Sequence, residues 1–527
     1  MKTNPEITVI KPDTNQCFSK VQSSGLIGIS AYPVEIEVNI SGGLPNFILV
    51  GLPDPAINES RERVRVAIKS SSYDFPSKKI LVNLAPADTK KAGPTYDLPI
   101  AIGILACCEI IEKTKLENIY IVGELGLSGK VRPVNGVLSS VILAKEKNAK
   151  GIIVPYDNSG EASLVDGLNI YPVKDLSETI NIINNIYSAK PLSSIKSFTE
   201  RKITNTEVDF CDVKGQSFAK RALEISACGG HHVLMIGPPG SGKSMLSQRL
   251  TTILPPLNHN EKIEVTQIYS AAGKLNKDKR LISDRPFRSP HHNTSTAGLI
   301  GGGSFPQPGE ISLAHKGVLF LDEFTEFQRQ VLDSLRQALE SKEITISRSR
   351  KSCTFPCDFI LVSACNPCQC GYFGDPLKKC LCSTNTIKRY REKISGPILD
   401  RIDLQIEVKR LNESELISTN NAEKSFNIKD GIIKAKEFQK TRFKDIGIKS
   451  NSNLSQKEIK QFCRFNSTSE VLLKEAVRSF CLTARSFDRV LKVSRTIADL
   501  ENSDIIKDEH ILEALQFRLN VQNQFKI

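Results

Sequence analysis

The feature that most constrains this chain is an apolar strand that leads directly into a glycine-rich loop and then a helix. The strand is VLMI (Val233–Ile236), the loop is GPPGSGKS (237–244), and a helical pattern, SMLSQRLTTIL, follows it. In that context a G-x-x-x-x-G-K-[ST] run forms a phosphate cradle, because its backbone N–H groups converge on the anion and its lysine adds a positive charge. The three elements therefore predict an α/β domain that binds a nucleoside triphosphate.

The loop and a second strand together predict the chemistry. We expect the nucleotide to be held by the loop residues Gly237, Pro238, Pro239, Gly240, Ser241, Gly242, Lys243 and Ser244. The Ser244 hydroxyl is expected to ligate Mg²⁺. The second strand, VLFLDE (318–323), ends in two acids. Asp322 is placed to hold the same Mg²⁺, and Glu323 to polarise a water for attack on the γ-phosphate. These residues predict an ATPase that uses ATP and Mg²⁺.

Three polar residues farther along the chain are further catalytic candidates. Asn366 ends the apolar run FILVSAC, and a polar group at the tip of that strand can orient the attacking water. Arg401 precedes a final strand, where it can reach the γ-phosphate of a neighbouring subunit, and Arg485 begins a helix, where it is available to the same subunit. Taken alone, either arginine is more simply interpreted as a surface ion-pair residue than as a catalytic one. Their order after the two nucleotide motifs favours a catalytic role.

Composition narrows the partners and the compartment. The formal net charge of +13 favours an anionic partner, nucleic acid before an acidic membrane surface, although an AT-rich genome that loads the protein surface with lysine would give the same charge. The chain has no apolar run of 18 residues, and its first residues lack the hydrophobic core of a signal peptide. We therefore expect a cytoplasmic protein without a membrane partner. Its 14 cysteines would then be reduced, which argues against a disulfide scaffold.

Periodicity and composition divide the chain into blocks. The predicted blocks are an N-terminal domain at 1–187, a linker at 188–206, a nucleotide-binding core at 207–410 and a helical domain at 411–527. In the first block VEIEVNI (34–40) alternates with period two, as a half-buried strand does. Asp54 and Pro55 stand at the N-cap and first position of a predicted helix. The linker is polar and aperiodic.

Long motifs in this sequence resemble the ComM/YifB family of magnesium-chelatase-like AAA+ ATPases. The segments that carry the resemblance are 43–68, 82–106, 285–323 and 363–404, and the match covers nearly the whole chain. The family implies an α/β fold with an AAA+ P-loop core, a helix-2 insert, a C-terminal helical lid and a hexameric ring. It also implies ATP-driven movement on DNA, since ComM-type members act as helicases that extend branches during integration of transforming DNA. The nucleotide and catalytic residues named above keep their roles under this resemblance.

The N-terminal block also resembles the Lon protease domain, an α+β fold. Lon proteases carry a catalytic serine where this chain has Ile100, and a lysine where it has Leu138. A Ser–Lys dyad needs a hydroxyl and an amine within hydrogen-bond reach. Isoleucine and leucine supply neither group. We expect the Lon-like fold without the peptidase, in a domain that serves assembly or DNA guidance.

Two close cysteine pairs suggest a second metal. Cys368 with Cys370, and Cys380 with Cys382, are separated by a glycine-rich turn, and four thiolates could surround one Zn²⁺ tetrahedrally. The C-x-C spacing is tighter than the usual C-x₂-C knuckle. Reduced cysteines in a loop are therefore the open alternative.

Neighbouring cysteines and histidines receive structural interpretations. Cys365 is expected to be buried in its strand, and Cys353 and Cys357 to flank a hairpin. His291 and His292, in the run SPHHN, are expected to be hydrogen-bonded loop residues and not metal ligands.

Candidate DNA contacts lie on two predicted projections. EITISRSRKSCTFPCDF (343–359) predicts a β-hairpin with Arg348, Arg350 and Lys351 at its tip, which suits phosphate gripping without sequence preference. AGLIGGGSFPQPG (297–309) predicts a flexible glycine loop, whose Phe305 can stack on bases. The alternative is that the basic tip is a solvated turn.

Three functions remain open at this stage. The leading hypothesis is a homo-hexameric DNA motor, a helicase or branch-migration enzyme acting on single-stranded or branched DNA in recombination. An AAA+ subunit that helps insert Mg²⁺ into a porphyrin-like ring is the second, although the long Lon-like block argues against it. The third is a remodelling scaffold that uses ATP only to assemble. Stimulation of hydrolysis by DNA is expected of the motor alone.

Overall fold

A computed structural model gives the structure of the protein and describes the residues 17–91, 93–192, 208–275, 281–303, 305–348, 351–411, 423–444, 446–447, 450–480 and 482–525. The chain forms two compact units, one of Met1–Thr199 with Thr266–Ile282, the other of Glu200–Val265 with Ser283–Ile527. Most of the expected linker, residues 193–206, lies outside the described residues.

The first unit alternates strands and helices. Its strands are β1 (Cys17–Ile27), β2 (Ser30–Ser41), β3 (Asn46–Val50), β4 (Lys79–Ala85), β5 (Ile119–Ile121), β6 (Glu124–Leu125), β7 (Val131–Arg132), β8 (Gly151–Pro155) and β9 (Ile170–Val173). Its helices are α1 (Pro55–Ser70), α2 (Asp97–Cys107), α3 (Val137–Glu146), α4 (Ser159–Ala162) and α5 (Leu176–Asn184). Short 3₁₀ helices occupy Pro94–Tyr96, Lys113–Leu116 and Tyr156–Asn158.

A seven-stranded mixed sheet organises the first unit, in the order β3-β4-β2-β1-β5-β8-β9. Strands β1 and β2 form a long antiparallel hairpin, in which Cys17 pairs with Ile40 and Ile27 with Ser30. The predicted period-two face of β2 is confirmed, since Val34, Ile36, Val38 and Ile40 are all buried. This face packs into the core of the unit together with α2, which is buried along its whole length.

The predicted helix cap is also confirmed. The Asp54 carboxylate accepts a hydrogen bond from the Ile57 backbone N–H, at 2.8 Å, and Pro55 opens α1. Such a cap satisfies one of the N–H groups that the first turn leaves without an intrahelical partner. Residues at helical spacing on α1, among them Val64 and Ile68, are buried in the core of the unit.

The two positions of the Lon dyad lie in the core of this unit. Ile100 on α2 and Leu138 on α3 are both fully buried. Neither side chain can act as a nucleophile or a base, so the unit has a Lon-protease-like fold without that dyad.

The second unit contains the remaining elements. Its strands are β10 (Val233–Ile236), β11 (Phe287–Arg288), β12 (Gly301–Gly302), β13 (Gln307–Pro308), β14 (Val318–Leu321), β15 (Glu343–Arg348), β16 (Lys351–Pro356), β17 (Ile360–Cys365) and β18 (Leu404–Glu407). Its core helices are α6 (Ser217–Gly229), α7 (Lys243–Ile253), α9 (Thr296–Ile300), α10 (Glu310–Leu313), α11 (Arg329–Ser341), α12 (Thr384–Glu392) and α13 (Gly396–Leu399). Helix α8 (His259–Ala271) has residues in both units. The C-terminal helices are α14 (Ser425–Arg442), α15 (Gln456–Phe462), α16 (Ser467–Phe480), α17 (Ala484–Leu500) and α18 (Asp508–Phe525).

A five-stranded parallel sheet, ordered β11-β14-β17-β10-β18, forms the centre of this unit. Strand β10 ends with Ile236 paired to Cys365, and β14 ends with Leu321 paired to Ser363. Because parallel strands present their carboxyl ends at one edge, the segments after β10, β14 and β17 emerge side by side. This register sets the place of the candidate site.

The C-terminal helices pack on the core through apolar contacts and one buried polar network. The His231 ring bonds Asp403 at 2.9 Å through Nδ1 and Thr496 at 2.8 Å through Nε2. Arg489 donates to the other Asp403 oxygen at 2.5 Å. Although burial opposes it, this cation and the two neighbouring histidines hold the pKa of Asp403 well below its usual range. The network joins α17 to the residue before β18.

The predicted glycine loop at 297–309 is partly regular structure, which corrects the expectation of a flexible loop. Ser295 caps α9 by accepting from the Gly298 N–H at 3.1 Å, and β12 then pairs with β13 in a small hairpin. Gly301 has φ +109°, and a Cβ there would lie 2.3 Å from the Gln307 carbonyl oxygen. This hairpin lies between β11 and β14 in the chain.

Across the described residues, none of the helices combines the length and the apolar character that crossing a membrane requires.

Candidate nucleotide site

The loop after β10 has the backbone of a phosphate cradle. Gly240 and Gly242 have φ values of +77° and +91°, which side chains other than hydrogen rarely tolerate. Gly237 is constrained by contact, because a Cβ there would lie 2.2 Å from the Val408 carbonyl oxygen. The loop therefore passes close to the end of β18 and then turns into α7, whose N-terminus favours bound anions.

Lys243, the first residue of α7, folds back over this loop. Its ammonium donates to the carbonyl oxygens of Gly237 and Pro238, at 2.6 and 3.0 Å, and to Asn366 Oδ1 at 3.4 Å. The side chain is only 8% exposed, and this burial lowers the pKa of Lys243. The structure thus brings together two residues that the sequence predicted separately, Lys243 and Asn366.

Ser244 and Asp322 meet at the expected metal position. The Ser244 hydroxyl donates to Asp322 Oδ2 at 2.8 Å. Adjacent ligands of an octahedral Mg²⁺, each about 2.1 Å from the ion, lie about 3.0 Å apart. A hydroxyl and a carboxylate are suitable oxygen ligands, so the pair fits Mg²⁺ without rearrangement of the backbone.

Glu323 contacts a histidine that the sequence interpretation assigned to the loop alone. Its carboxylate lies 3.0 Å from His292 Nδ1, and its backbone is left-handed, with φ +50°. The His291 ring lies against His292 at a centroid distance of 4.1 Å, and its Nδ1 accepts from the Asn293 N–H. The expectation of a hydrogen-bonded loop residue is confirmed for His291. For His292 it is incomplete, since it missed that His292 contacts the candidate catalytic acid.

Arg401 and Arg485 lie in a different part of the second unit. Both line one cavity of about 730 Å³, and the residues 237–244 are not among those that line it. Arg401 donates to the Pro397 carbonyl at 2.5 Å and is ion-paired with Glu340. Arg485 is exposed at the start of α17. The structure therefore does not bring Arg485 to the phosphate loop of its own chain, where the sequence interpretation had placed it.

The four paired cysteines converge. Sγ–Sγ distances are 3.3 Å for Cys368 with Cys370, 3.5 Å for Cys370 with Cys380 and 3.7 Å for Cys368 with Cys380. All four sulfurs, including that of Cys382, lie within 4.8 Å of one another. Cys365 is buried at the end of β17, as predicted. Thiolates at these separations fit one tetrahedral metal ion.

The candidate DNA contacts are only partly described. Strands β15 and β16 form the predicted hairpin, with Arg348 paired to Lys351. Arg350 lies outside the described residues, and so do the side chains of its two basic neighbours. Phe305 follows β12 and is half-buried. Cys353 and Cys357 are buried, in keeping with their structural interpretation.

Comparison with known families gives consistent matches along the chain. A family model described as "Magnesium chelatase, subunit ChlI" matches residues 209–416. A model described as "Subunit ChlI of Mg-chelatase" matches residues 36–158, and one described as "Magnesium chelatase, subunit ChlI C-terminal" matches residues 422–518. The competence protein ComM of Haemophilus influenzae is 42% identical over 506 residues, which are 95% of this chain and 97% of that protein.

Two further relatives match different shares of the chain. The uncharacterized protein YifB of Escherichia coli is 41% identical over 505 residues, 95% of this chain and 97% of that protein. Lon protease 2 of Bacillus subtilis is 32% identical over 131 residues, 24% of this chain and 22% of that protein. The first similarity extends over nearly the whole length, whereas the second is partial.

Proposed function

This chain belongs to the ComM/YifB family of magnesium-chelatase-like AAA+ proteins, and from that premise we propose that it is an ATP-driven DNA motor that works as a homo-hexamer. The family implies ATPase activity. The observation that carries the proposal is the meeting of Lys243, Asn366 and the Ser244–Asp322 pair at one edge of the parallel sheet. That arrangement suits the binding and hydrolysis of ATP.

Each residue of this edge has a role in the proposed cycle. Lys243 exchanges its carbonyl partners for the β- and γ-phosphates, and Ser244 and Asp322 hold Mg²⁺. Bound there, Mg²⁺ would supply positive charge against the negative charge that develops on the phosphate. Glu323 leaves His292 and polarises the attacking water, which Asn366 helps to orient.

The two arginines support a site shared between subunits. Both line a cavity to which the phosphate loop of the same chain does not contribute. We place Arg401 and Arg485 opposite the nucleotide of a neighbouring subunit, where they stabilise charge on the transferred phosphoryl group. To reach it, Arg401 must exchange Glu340 for phosphate. A closed ring gives every nucleotide such a neighbour, which favours a hexamer over a monomer.

DNA is the proposed partner, in single-stranded or branched form. The net charge of +13 and the basic tip of the β15–β16 hairpin are suited to phosphate backbones. The name of the relative ComM connects that protein with competence. We therefore propose helicase or branch-migration activity in recombination, including integration of transforming DNA, with Phe305 able to stack on bases.

Two metals enter this proposal. Mg²⁺ acts in hydrolysis, through Ser244 and Asp322. Zn²⁺ is proposed at the cysteine cluster, where it has no place in the chemistry of phosphoryl transfer.

A chelatase-type subunit is the second candidate, because the matching family models carry that description. DNA-stimulated ATP hydrolysis separates the two. The purified protein is assayed for phosphate release with no DNA, with single-stranded DNA and with forked DNA, and the Lys243→Ala variant is the matched control. A motor hydrolyses faster with DNA in the wild type alone. If no DNA substrate changes the rate of ATP hydrolysis by the wild type, the result would favour a chelatase-type subunit or a scaffold that uses ATP only to assemble.

A further inference from the structure

The loop that carries the cysteine cluster contacts the phosphate loop, and this contact suggests what the metal does. The loop 366–383 connects the candidate water-orienting residue at the end of β17 to helix α12, and it contains neither helix nor strand. Long irregular connections inside a compact domain need a constraint to hold one conformation. The two cysteine pairs lie near the two ends of this loop, where one shared ion would close it.

The sulfur geometry favours a metal over a disulfide. A tetrahedral Zn²⁺ with Zn–S bonds of about 2.3 Å separates its sulfurs by about 3.8 Å, whereas a disulfide requires about 2.05 Å. The measured separations of 3.3, 3.5 and 3.7 Å lie near the first value. The Cys382 backbone N–H also points to Cys380 Sγ, at 3.4 Å, as it does where a backbone donor supports a metal-bound sulfur.

The middle of the loop rests on the phosphate cradle. Gly371 has φ +87°, and a Cβ added to it would lie 2.8 Å from Cδ of Pro239 and 3.8 Å from Cγ of Asn366. Its main chain is therefore packed against the proline of the cradle and beside the residue that bonds Lys243. Farther on, Asp375 lies 3.7 Å from Arg410, two residues after Val408, whose carbonyl oxygen lies close to Gly237.

The side of the loop nearest α12 is held as well. Arg391 Nε donates to the Pro367 carbonyl at 3.2 Å, and its guanidinium lies over the Phe373 ring at 5.0 Å. Ser383, the residue after the last cysteine, caps α12 by accepting from the Thr386 N–H. The loop is thus held by contacts on both sides of the cluster, and a metal ion bound by the four cysteines would also hold its middle part in one conformation.

We propose that Cys368, Cys370, Cys380 and Cys382 bind one Zn²⁺ that shapes the loop 366–383 into a buttress for the phosphate loop. Through Gly371 the buttress fixes Pro239, and through the chain before Cys368 it fixes Asn366. Nucleotide affinity therefore depends on the metal, although the metal never touches nucleotide. This consequence rests on the proposed ATP site, whereas the presence of zinc does not.

The first experiment measures the metal itself. The full-length protein, purified without added metal, is analysed for zinc and iron and exchanged with Co²⁺. The site predicts one zinc per chain and the absorption of tetrahedral, thiolate-bound Co²⁺. Cys380→Ser combined with Cys382→Ser abolishes both signals, whereas Cys108→Ser, in the first unit, keeps them. Zinc absent from the wild type, iron in its place, or zinc retained by the double variant would overturn the site.

The second experiment tests the buttress with a matched pair of glycines. Gly371→Ala and Gly374→Ala both place a side chain at positive φ, +87° and +80°, but nothing lies within 4 Å of a Cβ at Gly374. Backbone strain is therefore similar, and only Gly371→Ala displaces Pro239. We expect about tenfold weaker binding of a fluorescent ATP analogue by Gly371→Ala, with zinc retained, and near-wild-type binding by Gly374→Ala.

The outcomes separate this inference from the proposed function. Equal nucleotide affinity of the two glycine variants, with zinc present in both, would overturn the buttress. Gly371→Ala could lose both bound zinc and affinity for the ATP analogue. That result still couples the cysteine cluster to the phosphate loop, and the double cysteine variant must then show the same loss of affinity for the ATP analogue. Failure of the wild type itself to bind the ATP analogue would overturn the proposed ATPase and leave the zinc result standing.

Discussion

The contact between His292 and Glu323 predicts a basal ATPase rate that is held down in the resting protein. His292→Ala removes the 3.0 Å contact, so the Glu323 carboxylate no longer has to leave a partner before it polarises water. The two side chains are 27% and 55% exposed, and pairs exposed to this extent contribute about 0.2–1 kcal/mol. Loss of that interaction corresponds to a rate without DNA that is about 1.4 to 5 times higher, at about 1.4 kcal/mol per tenfold.

The assay is steady-state phosphate release without DNA, at saturating ATP, for three proteins. His291→Ala is the control, because it removes the ring that lies against His292 but leaves the contact with Glu323 in place. We expect its basal rate to match the wild type. An unchanged or lower basal rate in His292→Ala, in a protein with wild-type thermal stability, would refute the reasoning.

Three further predictions concern the acid, the arginine and the hairpin. Glu323→Gln should bind ATP and fail to hydrolyse it, because the phosphate and Mg²⁺ ligands remain, and retained ATP after gel filtration checks this. Arg401→Ala should lose turnover yet bind nucleotide, and mixed rings with Glu323→Gln should regain part of it where an intact Arg401 faces an intact Glu323. Charge reversal at Arg348, Arg350 and Lys351 should weaken DNA binding, leave basal turnover intact, and lower the slope of log affinity against log salt by about two to three.

Each of these has a contradicting result. Loss of ATP binding in Glu323→Gln would give that acid a structural role. Confirmed mixed rings without any recovery would count against the shared site. Charge reversal of three exposed lysines in the first unit, Lys145, Lys147 and Lys150, is the control for the hairpin, and equal effects of the two triple variants would assign binding to net charge.

Local sequence patterns predicted the parts of the site that short segments determine. The strand before Gly237 and the acids after β14 follow from apolar runs of fixed length, and so does Asn366 at the tip of β17. The parallel register then places them together, which the order of strand and helix implies. The cap at Asp54 was predictable for the same local reason.

The parts that were missed depend on contacts between distant segments. His292 reaches Glu323 only through the course of the loop after β11, for which the run SPHHN carries no periodic signal. Arg485 was placed correctly at the start of a helix, but the sequence did not show that it lines one cavity with Arg401, because the buried His231–Asp403 network joins α17 to the core. Thr266–Ile282 belongs to the first unit although it follows the phosphate loop in sequence, and no composition shift marks that change.

The most direct test of the central claim is strand displacement coupled to hydrolysis. A labelled strand is annealed into a forked duplex and into a three-strand junction. Each substrate is incubated with the wild type or with Lys243→Ala, in the presence of ATP, of a non-hydrolysable ATP analogue or of no nucleotide. We predict displacement by the wild type only with hydrolysable ATP, and none by Lys243→Ala, which keeps its fold because Lys243 contacts the loop and not the apolar core. A wild-type protein that hydrolyses ATP but displaces no strand from either substrate, at any salt concentration at which it binds DNA, would contradict the account.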